Sequence, residues 1–285
     1  MQIEPRYVGA QPIVVDGDLS AIAGPMIRQG RRFARSLGDL DAAGWAAQSR
    51  CAGWSNQDVV THLIGTNNFW AMSINGGLAG TPTRFLEGFD PVATPAALVD
   101  AARLDGGEET LEAFAASSDQ LIELVTSLDD SQWALPAEAP PGHMSIGAIA
   151  HHALWDSLIH ERDVFLPIGI TPPVEDDEVA AAAAYAAALN LGFGLLEGDR
   201  RAGVVALRST SPPMRVAITG DAVTISRATA EHDDASEPVL ELTGTPIEVL
   251  DALSVRSAHD PPIPPDLMWM VGALGRVFEV DSLER

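Results

Sequence analysis

Helical periodicity dominates the first 170 residues of this 285-residue chain. Apolar residues recur at about every third or fourth position, which is the pattern of helices that bury one face. Four long segments follow it, at approximately residues 18–48, 55–77, 94–128 and 145–165, and Gly106-Gly107 can interrupt the third. Four such helices joined by connections of moderate length predict a four-helix bundle.

The second predicted helix has the best-marked start in the chain. Ser55 follows Gly53-Trp54 and is a good N-cap residue, while Asp58 lies in the first turn, where an acid favours the helix dipole. We expect this helix to end at Gly76-Gly77. The Pro- and Gly-rich run Pro136–Gly142 predicts a loop, and the fourth helix is expected to begin directly after it.

The pattern changes after the turn-rich segment 167–173. An Ala-rich helix is predicted at 175–196, followed by short β-type runs at 204–208, 214–219, 222–226 and 239–242 and by helical segments at 245–253 and 265–278. The acidic segment 228–237 is expected to be a solvated loop. We therefore predict two domains, residues 1–172 and residues 173–285, the second with an α+β fold.

Composition excludes several classes of function. Seventeen basic residues, all of them arginine, stand against 40 acidic ones, and the resulting charge of −23 argues against nonspecific nucleic-acid binding. Because the chain has neither a signal-like start nor a run of about 20 apolar residues, we expect a cytoplasmic protein with no membrane span. The single cysteine, Cys51, cannot form an internal disulfide and is expected to be structural, so any metal must be held by histidines and carboxylates.

Histidines and a carboxylate on two predicted helices suggest a metal site. Asp156 and His160 are four residues apart and therefore share one face of the fourth helix, while His62 lies near the middle of the second. Bundles build interior metal sites from such residues on facing helices. Two histidines and one carboxylate suit zinc, iron or nickel and leave coordination positions open. His152 could replace a ligand or support one, and the alternative is that all four residues are ordinary core or surface residues.

A longer motif surrounds His62 and reads Cys51-Ala-Gly-Trp54-Ser55-Asn-Gln-Asp58-Val59-Val60-Thr-His62-Leu63. It resembles a signature of the DinB-like, mycothiol-dependent maleylpyruvate isomerase family, and the resemblance extends over about residues 18–170. In that family a Glu-x3-His pair on the last helix of the bundle completes a divalent-metal triad. The pair Asp156-x3-His160 is similar to it. The resemblance thus implies His62, Asp156 and His160 as metal ligands, with Asp156 binding directly or, because Asp is one methylene shorter than Glu, through water.

The resemblance also implies the nature of the C-terminal region. Family members carry an α+β domain similar to sterol-carrier proteins after the bundle, and the pattern after residue 175 is compatible with that fold. An arginine of this domain is implied to assist catalysis. Four arginines are candidates: Arg208, Arg215, Arg227 and Arg256.

For function, the resemblance implies a metal-dependent enzyme that uses a low-molecular-weight thiol, mycothiol, as cosubstrate. Zinc is the first candidate metal, with nickel or iron as alternatives. Such a site would catalyse isomerisation of, or S-transfer to, a small electrophilic substrate whose identity stays open. Two other hypotheses also stay open: a carrier that binds metal, thiol or a lipid-like ligand without turnover, and a structural domain that has lost its metal.

Overall fold

The computed structural model describes residues 2–229 and 237–280. A short strand, β1 (Ile13–Val15), precedes the N-terminal helices. These helices are α1 (Ala23–Leu37), α2 (Ala42–Ala46), α3 (Asn56–Leu78), α4 (Ala93–Ala102), α5 (Gly107–Thr126) and α6 (Ile146–Phe165). Among them α1, α3, α5 and α6 pack as a four-helix bundle, in which α3 and α1 each contact both α5 and α6. The predicted bundle is confirmed.

Side-chain caps fix the starts of the two helices that matter most for the site. The Ser55 hydroxyl accepts a hydrogen bond from the backbone N–H of Asp58, and the Asp58 carboxylate accepts one from the backbone N–H of Ser55, so α3 begins with a capping box. At the start of α6 the Ser145 hydroxyl accepts from the backbone N–H of Ala148. Both predicted helix starts are confirmed.

Two of the predicted long helices are each divided. The first segment stops at Gly38, the C-cap of α1, and resumes as the short α2. The third breaks between α4 and α5 at Gly106, whose φ of +107° is a conformation that residues with a side chain rarely adopt. The third predicted helix is therefore interrupted at the glycine pair 106–107, as the sequence indicated.

The prediction of a loop between α5 and α6 is wrong. Residues 136–145 form a hairpin of β2 (Pro136–Ala139) and β3 (Gly142–Ser145), and Ala137 and Ala139 are completely buried. The hairpin lies so close to α3 that a Cβ on Gly77 would sit 2.5 Å from the carbonyl oxygen of Pro136. Gly77 therefore permits this contact and does not end α3, which continues to Leu78.

The C-terminal part is an α+β unit, as predicted. Its elements are α7 (Asp176–Leu196), β4 (Val204–Leu207), β5 (Met214–Thr219), β6 (Ala222–Arg227), β7 (Val239–Glu241), α8 (Pro246–Leu253) and α9 (Ala273–Val277). The described strands form a mixed sheet in the order β1-β6-β5-β4-β7, with β1 parallel to β6 and β7 parallel to β4. The helix expected over 265–278 is mostly irregular, since only a 3₁₀ turn at Met268–Met270 and α9 form there.

One hydrophobic core spans both parts, and a second, smaller one lies within the bundle. Helix α7 packs on the sheet, on α8 and α9, and on α6 of the bundle, and β1 contributes an edge strand to the C-terminal sheet although it precedes the bundle. Among the described helices α7 is long and apolar enough to cross a membrane, but 89% of that stretch is buried inside the protein. The boundary at 172/173 remains a prediction, and most of the predicted acidic loop, residues 230–236, lies outside the described residues.

Candidate metal centre

Helices α3 and α6 bring the three predicted ligands together. His62 comes from α3, and Asp156 and His160 come from α6, with one donor atom of each within 4.8 Å of the others. The Oδ1 atom of Asp156 lies 3.4 Å from His160 Nε2 and 4.0 Å from His62 Nε2. The two imidazole rings meet edge-on, with centres 5.2 Å apart.

The burial of α6 is interrupted at this cluster. In this helix, which the structure describes in full, 18 of the 20 residues are buried, and the exceptions are Asp156 and Ser157. The side chains of His62, Asp156 and His160 keep 16%, 13% and 10% of their surface exposed. The donor atoms are therefore shielded from bulk water yet within reach of a small molecule.

The charge states of two donors suit a metal ion. Burial lowers the pKa of His62 to about 4 despite the nearby Asp156 carboxylate, so this imidazole is neutral at pH 7. Burial would raise the pKa of Asp156, but the hydrogen bond and charge of His160 and the charge of His62 hold it well below its usual range. A neutral imidazole and an ionised carboxylate are the forms that bind divalent metals.

His160 has a second partner on the opposite side of its ring. Its Nδ1 donates a hydrogen bond of 3.0 Å to Oδ2 of the fully buried Asp163, which leaves Nε2 facing Asp156 and His62. Burial alone would lower the pKa of His160, but Cys51, Asp156 and Asp163 raise it well above its ordinary value. A metal ion at Nε2 would therefore compete with a strongly held proton.

Asp163 is the centre of a second cluster. Among the described residues, Arg50 and Arg256 each bring a side-chain nitrogen within 2.8 Å of it, and the Cys51 thiol lies 3.2 Å from its Oδ2. Burial would raise the pKa of Asp163, but Arg256 and His160 hold it well below its usual value. Cys51, His160 and Asp163 also have the spacing of a metal site. Two arginines on the carboxylate make this second group unfavourable for a cation.

The sequence of the bundle matches a known protein family. Residues 27–165 match the sequence model of the family described as the mycothiol maleylpyruvate isomerase N-terminal domain, a span that includes all three donor residues. The bundle belongs to this family.

Two solved structures resemble the whole chain. One is a mycothiol-dependent maleylpyruvate isomerase, with 12% sequence identity, and the other is a histidine-to-alanine mutant of the mycothiol-dependent maleylpyruvate isomerase, with 11%. Each match has a TM-score of 0.59 and covers 88% of this chain and 96% of the other. At these identities the likeness shows a shared fold. No curated protein gives a significant match.

Of the four arginine candidates, the structure brings Arg256 to the histidine cluster. It follows α8 and contacts Asp163, the partner of His160. Arg208 instead pairs with Glu241 at 3.0 Å on the exposed side of the sheet. The other two, Arg215 and Arg227, lie on β5 and β6.

Neighbours of the ligands on α6 have structural partners. Arg162 pairs with Asp251 of α8 at 2.6 Å and so ties the helix to the C-terminal part, whereas Glu161 binds Arg32 of α1. His152 stands outside both donor groups formed by the described residues. Its Nδ1 lies 3.0 Å from the buried hydroxyl of Tyr185, so it belongs to the core beside the site.

Sequence reasoning missed the support behind His160. Neither Asp163 nor Arg50 was predicted to act at the site. One signal was available, because an acid three residues after a histidine on a helix faces the same side. Arg256 was one of four candidates, but its contact with Asp163, like that of Arg50, depends on how distant segments of the chain pack.

Proposed function

We propose that this protein is a metal-dependent isomerase that uses a low-molecular-weight thiol, mycothiol, as cosubstrate. The observation that carries the proposal is the convergence of His62, Asp156 and His160 within 4.8 Å inside a bundle of the mycothiol maleylpyruvate isomerase family. The substrate class we infer is a small, electrophilic, unsaturated acid such as maleylpyruvate. S-transfer to a related electrophile would use the same site.

The donor set fits a divalent metal ion. Two imidazoles and one carboxylate are typical of zinc enzymes and also suit iron or nickel, and three protein ligands leave a position open. We therefore propose His62, Asp156 and His160 as the ligands, with zinc as the first candidate. When bound, the metal would lower the pKa of a coordinated thiol and so supply a nucleophile at neutral pH.

The chain's own residues prepare this site. Asp163 orients His160 by accepting a hydrogen bond from its Nδ1. The indole of Trp54 packs against His62, with ring centres 5.3 Å apart. The low exposure of the three donors limits water around a nucleophile, which strengthens electrostatic interactions there. The Cys51 sulfur contacts Asp163 at 3.2 Å, and we assign it no part in the chemistry.

We also infer where the protein works and what it meets. An unpaired Cys51 is in keeping with a reducing compartment, so we propose the cytoplasm. The proposed partners are small molecules, a thiol and an electrophile. The charge of −23 argues against nucleic acid as a partner.

Metal analysis combined with turnover tests this proposal. The full-length protein, purified without chelator or a His-tag, should contain about one divalent ion per chain. His62→Ala and His160→Ala should contain little metal, whereas the control His259→Ala, outside the cluster, should match wild type. Saturable isomerisation of maleylpyruvate that requires both metal and mycothiol is the expected activity.

Two results would contradict it. Binding of metal and mycothiol without turnover of maleylpyruvate or of a model electrophile would identify a carrier. A wild-type protein that binds no metal after reconstitution with zinc, nickel or iron would exclude the proposed chemistry altogether.

A further inference from the structure

We propose that the C-terminal domain sets the metal affinity of the bundle, with Asp163 and Arg256 as positioning residues for the ligand His160. The inference rests on the proposed function, because it concerns the same metal site. It adds a coupling: metal binding in the bundle and docking of the segment after α8 stabilise each other.

The first step is the contact between Asp163 and the metal ligand. Oδ2 of Asp163 accepts the Nδ1 proton of His160 at 3.0 Å, and His160 Nε2 on the opposite side of the ring faces Asp156 at 3.4 Å. A carboxylate behind a ligand histidine fixes the tautomer and orientation of the ring and makes its other nitrogen a better ligand. The position of Asp163 therefore decides how well Nε2 points at a metal.

The second step is the contact between Arg256 and Asp163. Arg256 donates from Nε to Oδ1 at 2.9 Å and from Nη2 to Oδ2 at 2.8 Å, which is the two-point geometry that fixes the plane of a carboxylate. Arg50, from the bundle, donates to Oδ1 at 2.8 Å. Because Asp163 is completely buried, its charge and its orientation depend on these partners.

The third step is the way in which the C-terminal domain presents Arg256. The residue before it, Val255, has a φ of +61°, which is a strained conformation for a β-branched side chain. The hydroxyl of Ser254 accepts a hydrogen bond from the indole of Trp155 on α6, and the backbone N–H of Arg256 bonds to the carbonyl of Asp251. These hydrogen bonds hold the chain in a strained backbone turn that directs the Arg256 side chain toward Asp163.

These contacts link the two parts of the protein through one chain of hydrogen bonds. Arg256 holds Asp163, Asp163 holds His160, and His160 offers Nε2 to the metal. Coupling between two equilibria is reciprocal, so the free energy by which docked Arg256 strengthens metal binding equals the free energy by which bound metal stabilises the docking of Arg256.

Zinc titration of full-length variants tests the coupling. Zinc affinity would be measured against a chromophoric chelator for wild type, Arg256→Gln, Arg256→Lys and the control Arg162→Gln. Arg162 also joins α6 to α8, through Asp251 at 2.6 Å, but among the described residues its side chain forms no hydrogen bond or ion pair with Asp163. We expect affinity to fall by about 10–100-fold in Arg256→Gln, less in Arg256→Lys, and by under about threefold in Arg162→Gln.

Hydrogen exchange of the wild-type protein gives a readout that needs no variant to fold. Addition of zinc should slow amide exchange in residues 254–258 relative to the metal-free protein. If wild type binds zinc while Arg256→Gln binds it equally well, or if both glutamine variants lose affinity equally, the coupling is excluded and the proposed function stands. If wild type binds no zinc, nickel or iron, the proposed function itself fails, and the coupling with it.

Discussion

Arg32 of α1 donates from Nε and Nη2 to the two carboxylate oxygens of Glu161, the neighbour of the proposed ligand His160, at 3.1 and 2.8 Å. Its Nη1 lies 2.8 Å from Glu178 of α7. Both glutamates are completely buried where three helices meet, and Arg32 pairs with both, while Arg28 adds a longer contact of 3.5 Å to Glu178. Burial raises the pKa of Glu161, against the effect of Arg32.

Removal of this arginine should be among the most destabilising single changes in the bundle. Arg32→Met leaves the buried Glu161 without a cation and Glu178 with only Arg28, whose Nε lies 3.5 Å away, and we expect the free energy of unfolding to fall by about 3–5 kcal/mol. The control is Arg200→Met, which breaks the exposed pair with Asp221 and should cost less than about 1 kcal/mol. Urea unfolding at pH 7 measures both variants, and equal losses would contradict the buried network.

The carboxylate of Asp156 should be needed for metal binding because of its charge. Asp156→Asn keeps the size of the side chain but removes the negative charge between the two imidazoles, and we expect at least about a tenfold loss of zinc affinity. Ser157→Ala changes the other residue of α6 that is not buried and should bind zinc like wild type. Equal affinities of Asp156→Asn and wild type would remove Asp156 from the ligand set.

Buried histidines should make the fold sensitive to mild acid. Burial lowers the pKa of His151 to about 4, outweighing the bond from its Nδ1 to the carbonyl of Gly147, while the unfolded value is about 6.5. Between these values the unfolded chain binds the extra proton, so stability is fully present above pH 6.5 and is lost as pH falls toward 4.

Replacement of His151 tests this dependence directly. At pH 5 the difference in proton binding corresponds to about 2 kcal/mol for this one residue. His151→Leu should therefore lose about 2 kcal/mol less than wild type between pH 7 and pH 5, as measured by urea unfolding. His62 and His152, whose pKa values burial also lowers to about 4, leave some acid sensitivity in the variant. Parallel pH curves for the two proteins would show that His151 does not have this lowered pKa.

Two glycines of α3 offer a matched pair. A Cβ on Gly77 would lie 2.5 Å from the carbonyl oxygen of Pro136, whereas a Cβ on Gly65 would have no atom within 4 Å. Gly77→Ala should destabilise the protein by about 1–3 kcal/mol because backbone must move. Gly65→Ala should stabilise it by up to about 1 kcal/mol, since alanine favours helix. Thermal unfolding separates the two signs, and stabilisation by both would refute the close contact.

The clustering of the three proposed metal ligands could be predicted from sequence because helices are periodic. A spacing of four places Asp156 and His160 on one face, and the motif resemblance places His62 on the facing helix. The helix starts at Ser55 and Ser145 could be predicted because capping depends on only a few neighbouring residues. Each of these features depends on residues close together in the sequence, within one helix or at its start.

The features that could not be predicted depend on distant or weak signals. Arg256 lies 93 residues after Asp163, and only the docking of the C-terminal part brings them together. Strand β1 has three residues, too few for an alternating pattern to stand out. The β2–β3 hairpin has the Pro- and Gly-rich composition of a loop, and its pairing becomes favourable only when Ala137 and Ala139 pack inside the protein.

The position of β1 bears on how the chain is made. Ile13 pairs with Val223, so the edge strand of the sheet is synthesised 210 residues (223 − 13) before its neighbour. Until β6 emerges, β1 has no partner strand, and a fragment that begins after the bundle would leave the edge of β6 open to other chains. Closure of this sheet is a long-range, slow kind of contact, so it should be a late event in folding. The bundle therefore forms inside a loop of chain whose two ends meet last.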